Sequence, residues 1–208
     1  MNGRKNHIYK IYNYDGQILL ECYYVNGNKE GNCKFYWPNG NLLVNCNYMQ
    51  NKLNGEYYEY FYNGNISIKC QYLNDNINGE YISYHNNKKI YIITNYLNGL
   101  INGKYLSYDE NNQLCCECTY IIGKCHGKYI NYDQNGFPCY ECNYINDILE
   151  GNCKKWFNNK NLFYECNYTN GKLNGIYKEY DYNGNLFYEC KYNNGFIEYI
   201  FIENINFD

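Results

Sequence analysis

Seven glycines stand 24 residues apart in this chain: Gly31, Gly55, Gly79, Gly103, Gly127, Gly151 and Gly175. A fixed period of this length marks a repeat architecture, in which each unit packs on its neighbours instead of into one globular core. With that glycine as position 0, a first repeat begins at His7, and position 17 is tyrosine in all eight full repeats, from Tyr24 to Tyr192. Position 15 is cysteine in seven of them, with Thr94 the exception. The frame divides the chain into an extension (1–6), eight repeats (7–30, 31–54, 55–78, 79–102, 103–126, 127–150, 151–174, 175–198) and a partial repeat with a C-terminal cap (199–208).

Each repeat reads as a β-hairpin. Positions 8 and 9 are Asp15-Gly16, Asn39-Gly40, Asn63-Gly64, Asn135-Gly136 and Asn183-Gly184 in five repeats. Asn-Gly between apolar runs is the strongest short-range hairpin signal, because both central residues of its turn take φ > 0. A second turn signal falls at positions 19 and 20, as in Asn26-Gly27, Asn98-Gly99 and Asn170-Gly171. Two turns in 24 residues leave room for two short strands and none for a helix. The expected fold is an all-β, elongated antiparallel meander of about eight hairpins, and each repeat should touch only its neighbours.

Register follows from the turns. A two-residue turn at 8 and 9 sets position 2 opposite 15, and one at 19 and 20 sets 17 opposite 22. Positions 2, 11, 13, 15, 17 and 22 then share one apolar face, and position 5 lies on the other with position 12. A three-residue loop with a bulge is the alternative, and it would carry position 5 to the apolar face.

Composition agrees with strands and turns. Alanine, the best helix former, is absent, while the chain holds 31 Tyr and 41 Asn. Part of this bias reads as AT-rich coding. A net charge of −3, from 18 Lys plus Arg against 21 Asp plus Glu, argues against a basic nucleic-acid-binding domain and a polybasic membrane binder. No signal-peptide core or spanning-length apolar run is visible, so an intracellular, cytoplasmic chain is expected (host cytoplasm if the source is viral).

The pattern Gly55-Glu56-Tyr57, Tyr60, Asn63-Gly64-Asn65-Ile66 and Tyr72, repeated as Gly175-Ile176-Tyr177, Tyr180, Asn183-Gly184-Asn185-Leu186 and Tyr192, resembles the MORN repeat in its variant form. The resemblance spans roughly 7–198. It implies an antiparallel array that serves protein interaction or assembly. Two alternatives come with it: an antitoxin-like partner of a toxin protein, and a membrane-lipid-associated module, which the net charge disfavours.

Site chemistry is sparse. The 13 cysteines permit three readings. Equivalent residues two strands apart are about 9–10 Å apart, too far for a disulfide, so Cys22, Cys46 and Cys70 do not cross-link among themselves. Cys33 faces Cys46 and Cys153 faces Cys166, pairs that would bridge if oxidised, but the odd count favours free thiols. Cys115, Cys116, Cys118, Cys125, His126, Cys139 and Cys142 imitate zinc-ligand spacing, yet strand alternation divides them between two faces. The preferred reading is a small buried hydrophobe. The glutamates at position 14 (Glu21, Glu117, Glu141, Glu165, Glu189) read as a solvated column. No nucleophile–base pair or phosphate loop emerges, so the chain is expected to be no enzyme, with no metal, cofactor, nucleic acid or small-molecule substrate. The candidate interaction strip is the aromatic column at position 5: Tyr12, Tyr36, Tyr60, Tyr84, Tyr108, Tyr132, Trp156 and Tyr180, with Tyr91, Phe163 and Phe187 of position 12 nearby. It would serve an unidentified protein partner, since tyrosine makes efficient contact surface.

Overall fold

The computed structural model describes residues 6–203. Most of the expected extension (1–5) and the end of the expected cap (204–208) lie outside the described residues. Contacts divide the chain into two units, 1–102 with 110–112, and 103–109 with 113–208. The first unit holds β1 (His7–Tyr12), β2 (Ile18–Val25), β3 (Asn28–Tyr36), β4 (Leu42–Met49), β5 (Lys52–Tyr60), β6 (Ile66–Leu73), β7 (Asn76–Tyr84), β8 (Ile90–Leu97) and β9 (Leu100–Ile101). The second holds β10 (Gly103–Tyr108), β11 (Leu114–Ile121), β12 (Lys124–Tyr132), β13 (Pro138–Ile145), β14 (Ile148–Leu149) and β15 (Gly151–Trp156). It continues through β16 (Leu162–Thr169), β17 (Lys172–Leu173), β18 (Gly175–Tyr180), β19 (Leu186–Asn193) and β20 (Phe196–Glu203). The fold is all-β, its strands pair antiparallel with their chain neighbours, and the described residues contain no helix.

The second turn is the expected two-residue type. Both of its central residues are left-handed, as at Asn26 (φ 50) and Gly27 (φ 83), or Asn74 (φ 50) and Asp75 (φ 69). The first turn is not. There position 9 takes the left-handed φ, as at Gly40 (φ 86), and even where the residue is Lys88 (φ 71) or Lys160 (φ 72). The amide of position 6 donates to the carbonyl of position 10 (Trp37 to Asn41, 2.8 Å), and position 9 donates to position 6 (Gly40 to Trp37, 2.9 Å). This is a three-residue loop ending in a left-handed residue, the other conformation that Asn-Gly suits.

The loop changes the register at one place only. Positions 0 to 4 pair as expected, with Tyr57 opposite Cys70, but Tyr60 pairs with Ile66, leaving position 12 as the extra residue of a bulge. Position 11 therefore leaves the apolar face and stands opposite position 5, which stays on the other face: the extra residue falls on the second strand, so the loop does not carry position 5 across as expected. A second irregularity sits at the period-marking glycine. Tyr24 pairs with Lys29 as expected, but the next rung is Cys22 with Cys33, a shift of two residues. Gly31 (φ 73) and Gly55 (φ 99) absorb it in a backbone region that side-chain-bearing residues rarely enter. In β20, Tyr199 replaces that glycine and the shift splits into two single steps, so Ile200, not Phe201, faces Cys190.

Because of these shifts, positions 2 and 15 line up in one straight row across the strands. In the first unit the row reads Tyr9, Cys22, Cys33, Cys46, Tyr57, Cys70, Tyr81, Thr94. Among the described residues the buried hydrophobics are the cysteines of this row, together with Cys125 at position 22 and Ile130 on the other face. Leu20, Tyr24, Phe35, Val44, Tyr48 and Leu53 pack around Cys22, Cys33 and Cys46. The rings of positions 2 and 17 meet beside it, with Tyr57–Tyr72 centroids 5.1 Å apart and Tyr81–Tyr96 5.4 Å.

Asparagine does more than turn the chain. At the first turn, Asn39 and Asn41 both donate to the carbonyl of Tyr62 one repeat on, each at 3.0 Å. Asn159 and Asn161 do the same to Tyr182 at 2.6 and 2.9 Å. At the second turn, the Asp75 carboxylate accepts from the Leu53 amide at 2.7 Å, and the Asp75 amide donates to the Leu53 carbonyl at 3.0 Å. These turns are thus fastened to neighbouring repeats.

Candidate interaction face

Strand alternation puts positions 1, 3, 5, 14, 16, 18 and 21 on the face opposite the cysteine row. Glutamate at position 14 pairs there with lysine at position 1 or 3: Lys104–Glu117 and Lys128–Glu141 at 3.0 Å, Lys154–Glu165 at 3.4 Å and Lys10–Glu21 at 3.6 Å. Pairs this exposed contribute little stability, about 0–1 kcal/mol each. What they fix is a charge pattern.

The position-5 aromatics lie on this same face. Tyr12 is exposed, while Tyr36, Tyr60, Tyr84, Tyr108, Tyr132, Trp156 and Tyr180 are half-buried. The hydroxyls of Tyr132 and Tyr180 donate to the preceding repeat's Glu117 and Glu165, at 2.6 and 3.2 Å. The Tyr132 hydrogen bond, aided by Lys104, holds the Glu117 carboxyl below its usual range. In return, burial and then Glu117 push the Tyr132 phenol up to about 12. Position 12 does not join this column. Being the bulge residue, it turns toward position 6: Tyr91 packs on His85 with centroids 4.8 Å apart, and Phe163 on Phe157 at 4.7 Å.

Two features of this face escaped the sequence reading. The first is an aliphatic ladder at positions 18 and 21, each residue about half exposed: Met49, Leu73, Leu97 and Leu100 in the first unit, Ile121, Ile145 and Ile148 in the second. Its signal was the recurrence of Leu or Ile just before the second turn. The second is a shallow notch that recurs at the same positions of the repeat. In the first unit Glu56, Lys69 and Glu80 line it with Tyr58 and Gln71. In the second unit Lys104, Glu117 and Lys128 line it with Thr119 and Ile130. The two triads stand 48 residues apart and carry opposite signs at every member.

The cysteines sit elsewhere. Cys115 donates to the Gln113 carbonyl at 3.6 Å and Cys139 to the Asn131 carbonyl at 3.5 Å, away from the buried row. Among the described residues no three His, Cys, Asp or Glu side chains are placed to hold a metal ion. The expectation of free thiols needs one correction: Cys22 and Cys33 form a disulfide, and Cys46 is free. The reason is geometric. In an antiparallel sheet each residue has a narrow, non-hydrogen-bonded partner on one side and a wide, hydrogen-bonded partner on the other, about 4.5 and 5.5 Å between Cα atoms. The expected pair Cys33–Cys46 is the wide rung, whereas Cys22–Cys33, with Cα atoms 4.2 Å apart, is the narrow one. Only the two-residue shift at Gly31 brings that narrow rung together.

The model of the MORN repeat variant matches six segments: 29–50, 53–74, 77–98, 101–121, 149–170 and 173–194. Together they cover more than half of the chain, which therefore belongs to the MORN repeat variant family. The stretch between the fourth and fifth matches keeps the same pairing, with Cys118 opposite Tyr129 and Tyr129 opposite Cys142, although Ile122 stands where the turn asparagine is expected. Among curated proteins, none matches the chain. No helix among the described residues is long and apolar enough to cross a membrane.

Proposed function

We propose that the chain is a non-catalytic scaffold that binds a protein partner along its charged face. The observation that carries this reading is the notch repeated at fixed positions with its charges inverted, Glu56–Lys69–Glu80 against Lys104–Glu117–Lys128. A fold needs salt-bridge partners but has no need of opposite signs at matching places. A partner's charge pattern does, since complementary potential selects partners and register. The position-5 rings on one side and the aliphatic ladder on the other supply the apolar contact that a charged strip lacks.

The test is affinity capture from the chain's own cells with the full-length protein and a variant carrying Lys104→Glu, Glu117→Lys and Lys128→Glu. That variant copies the sign pattern of the first unit's triad, so it is expected to fold. The wild type should retain a specific protein in a salt-sensitive manner and the variant should lose it. Equal retention by both would remove the charged face from the account. Capture of no specific protein, together with flotation on anionic vesicles, would move the function to lipid.

A further inference from the structure

Two rows of three cysteines occur at equivalent places in the two units. Cys22, Cys33 and Cys46 recur 120 residues later as Cys142, Cys153 and Cys166. They arise because Cys33 and Cys153 replace the tyrosine found at position 2 in the other six full repeats, leaving no ring between neighbouring sulfurs. Both rows are buried: Cys142, Cys153 and Cys166 are 0%, 1% and 2% exposed. In the first row the narrow rung is closed, and in the second all three thiols are free.

We propose that Cys142 and Cys153 are a second cross-strand disulfide site, the counterpart of Cys22–Cys33, which closes by exchange with a small-molecule disulfide such as glutathione disulfide. The backbone is already set. Leu20–Phe35 and Glu21–Lys34 precede the Cys22–Cys33 rung, and Tyr140–Lys155 and Glu141–Lys154 run toward Cys142 and Cys153 in the same register. Cys153 and Cys166 face each other across the wide rung, the place that stays open in the first row. Polar neighbours favour Cys153 as the attacking sulfur. Its thiol lies 3.5 Å from the Tyr140 hydroxyl, and hydrogen bonding, first from Cys166, draws its pKa below the ordinary thiol value. Access comes through the bulge at Gly151 (φ 77), two residues away, where the ladder is already broken.

The exchange balances. The Cys153 thiolate attacks one sulfur of glutathione disulfide, forming a mixed disulfide and releasing one glutathione thiolate. Cys142, deprotonated, then attacks the Cys153 sulfur and expels the second glutathione thiolate. The two protons lost by the protein end on the two glutathiones, and the protein's two electrons reduce the small disulfide.

The experiment uses the full chain, reduced, equilibrated in graded glutathione and glutathione disulfide, acid-quenched, alkylated and mapped by peptide mass. The expected result is two bonds, Cys22–Cys33 and Cys142–Cys153, an intact mass lower by four hydrogens, and alkylated Cys46 and Cys166. Alkylation of both Cys142 and Cys153 in a mixture that closes Cys22–Cys33 would overturn the proposal, as would a Cys153–Cys166 bond. In Cys166→Ala the Cys142–Cys153 bond should form unchanged. Its loss there, with Cys22–Cys33 still closed as an internal sign of a native fold, would equally overturn it.

Discussion

Deleting residues 55–78 is expected to leave a folded, cooperatively melting β-protein, whereas deleting residues 55–66 should abolish the melt. The longer deletion joins Asn54 to Gly79 where the chain has Asn54-Gly55, so the sequence across the junction is unchanged in kind. It removes two strands, and the next strand arrives in the same direction with Tyr81 where Tyr57 had faced Cys46. The shorter deletion removes an odd number of strands. Residues 52–54 would then run straight into 67–73 as one strand between two second-type turns, so Lys69 would take the place of Tyr57 opposite Cys46, the shift at Gly55 would be lost, and every later turn would fall on the edge opposite to its counterparts. In an array stabilised between nearest neighbours, losing a whole repeat costs one repeat's share of stability, and losing half of one breaks the interface itself. Circular dichroism and thermal melts decide it. A folded half-repeat deletion beside an unfolded whole-repeat deletion would refute the hairpin register.

The second large effect concerns the cysteine row. Cys70 is 4% exposed and stands between Tyr57 on one side and Tyr81 on the other. Burial raises its thiol pKa to about 11, the behaviour of a space-filling side chain and not of a nucleophile. Cys70→Phe would force a third ring between two tyrosines, and overpacking of this kind costs about 1–3 kcal/mol. Cys70→Thr should be far milder, because Thr94 fills the equivalent place at 2% exposure. Urea titrations of the two variants against the wild type provide the measurement. A Phe variant as stable as the wild type would mean that the row is not close-packed.

What could be read from the sequence was whatever the 24-residue period fixes. The second turn, the pairing of positions 2 with 15 and 17 with 22, and the burial of position 15 all follow from residue type at fixed spacing. What could not be read depends on backbone bulges. Asn39-Gly40 fits a two-residue turn and a three-residue loop equally well, and the Trp37–Asn41 hydrogen bond, with Gly40 left-handed, identifies the loop. That difference turned Phe163 away from the position-5 column and onto Phe157. The shift at Gly31 is equally silent in a one-letter reading, and it brings together Cys22 and Cys33, which form a disulfide where free thiols are expected from the sequence. The position-5 column itself, from Tyr12 to Tyr180, does share the face of the position-14 glutamates, as alternation requires.

The central claim is that the row of positions 2 and 15 forms the core, its buried cysteines packed among tyrosines and holding the sheet together. Timed alkylation of the native, fully reduced chain, mapped residue by residue, tests it most directly. Cys115, Cys116 and Cys139, which are partly exposed, should react first. Cys46, Cys70, Cys118, Cys166 and Cys190 should react only on unfolding, with Cys153, beside the bulge at Gly151, falling between the two groups. Fast, uniform labelling of all thirteen in a chain that still shows its native melt would contradict the account.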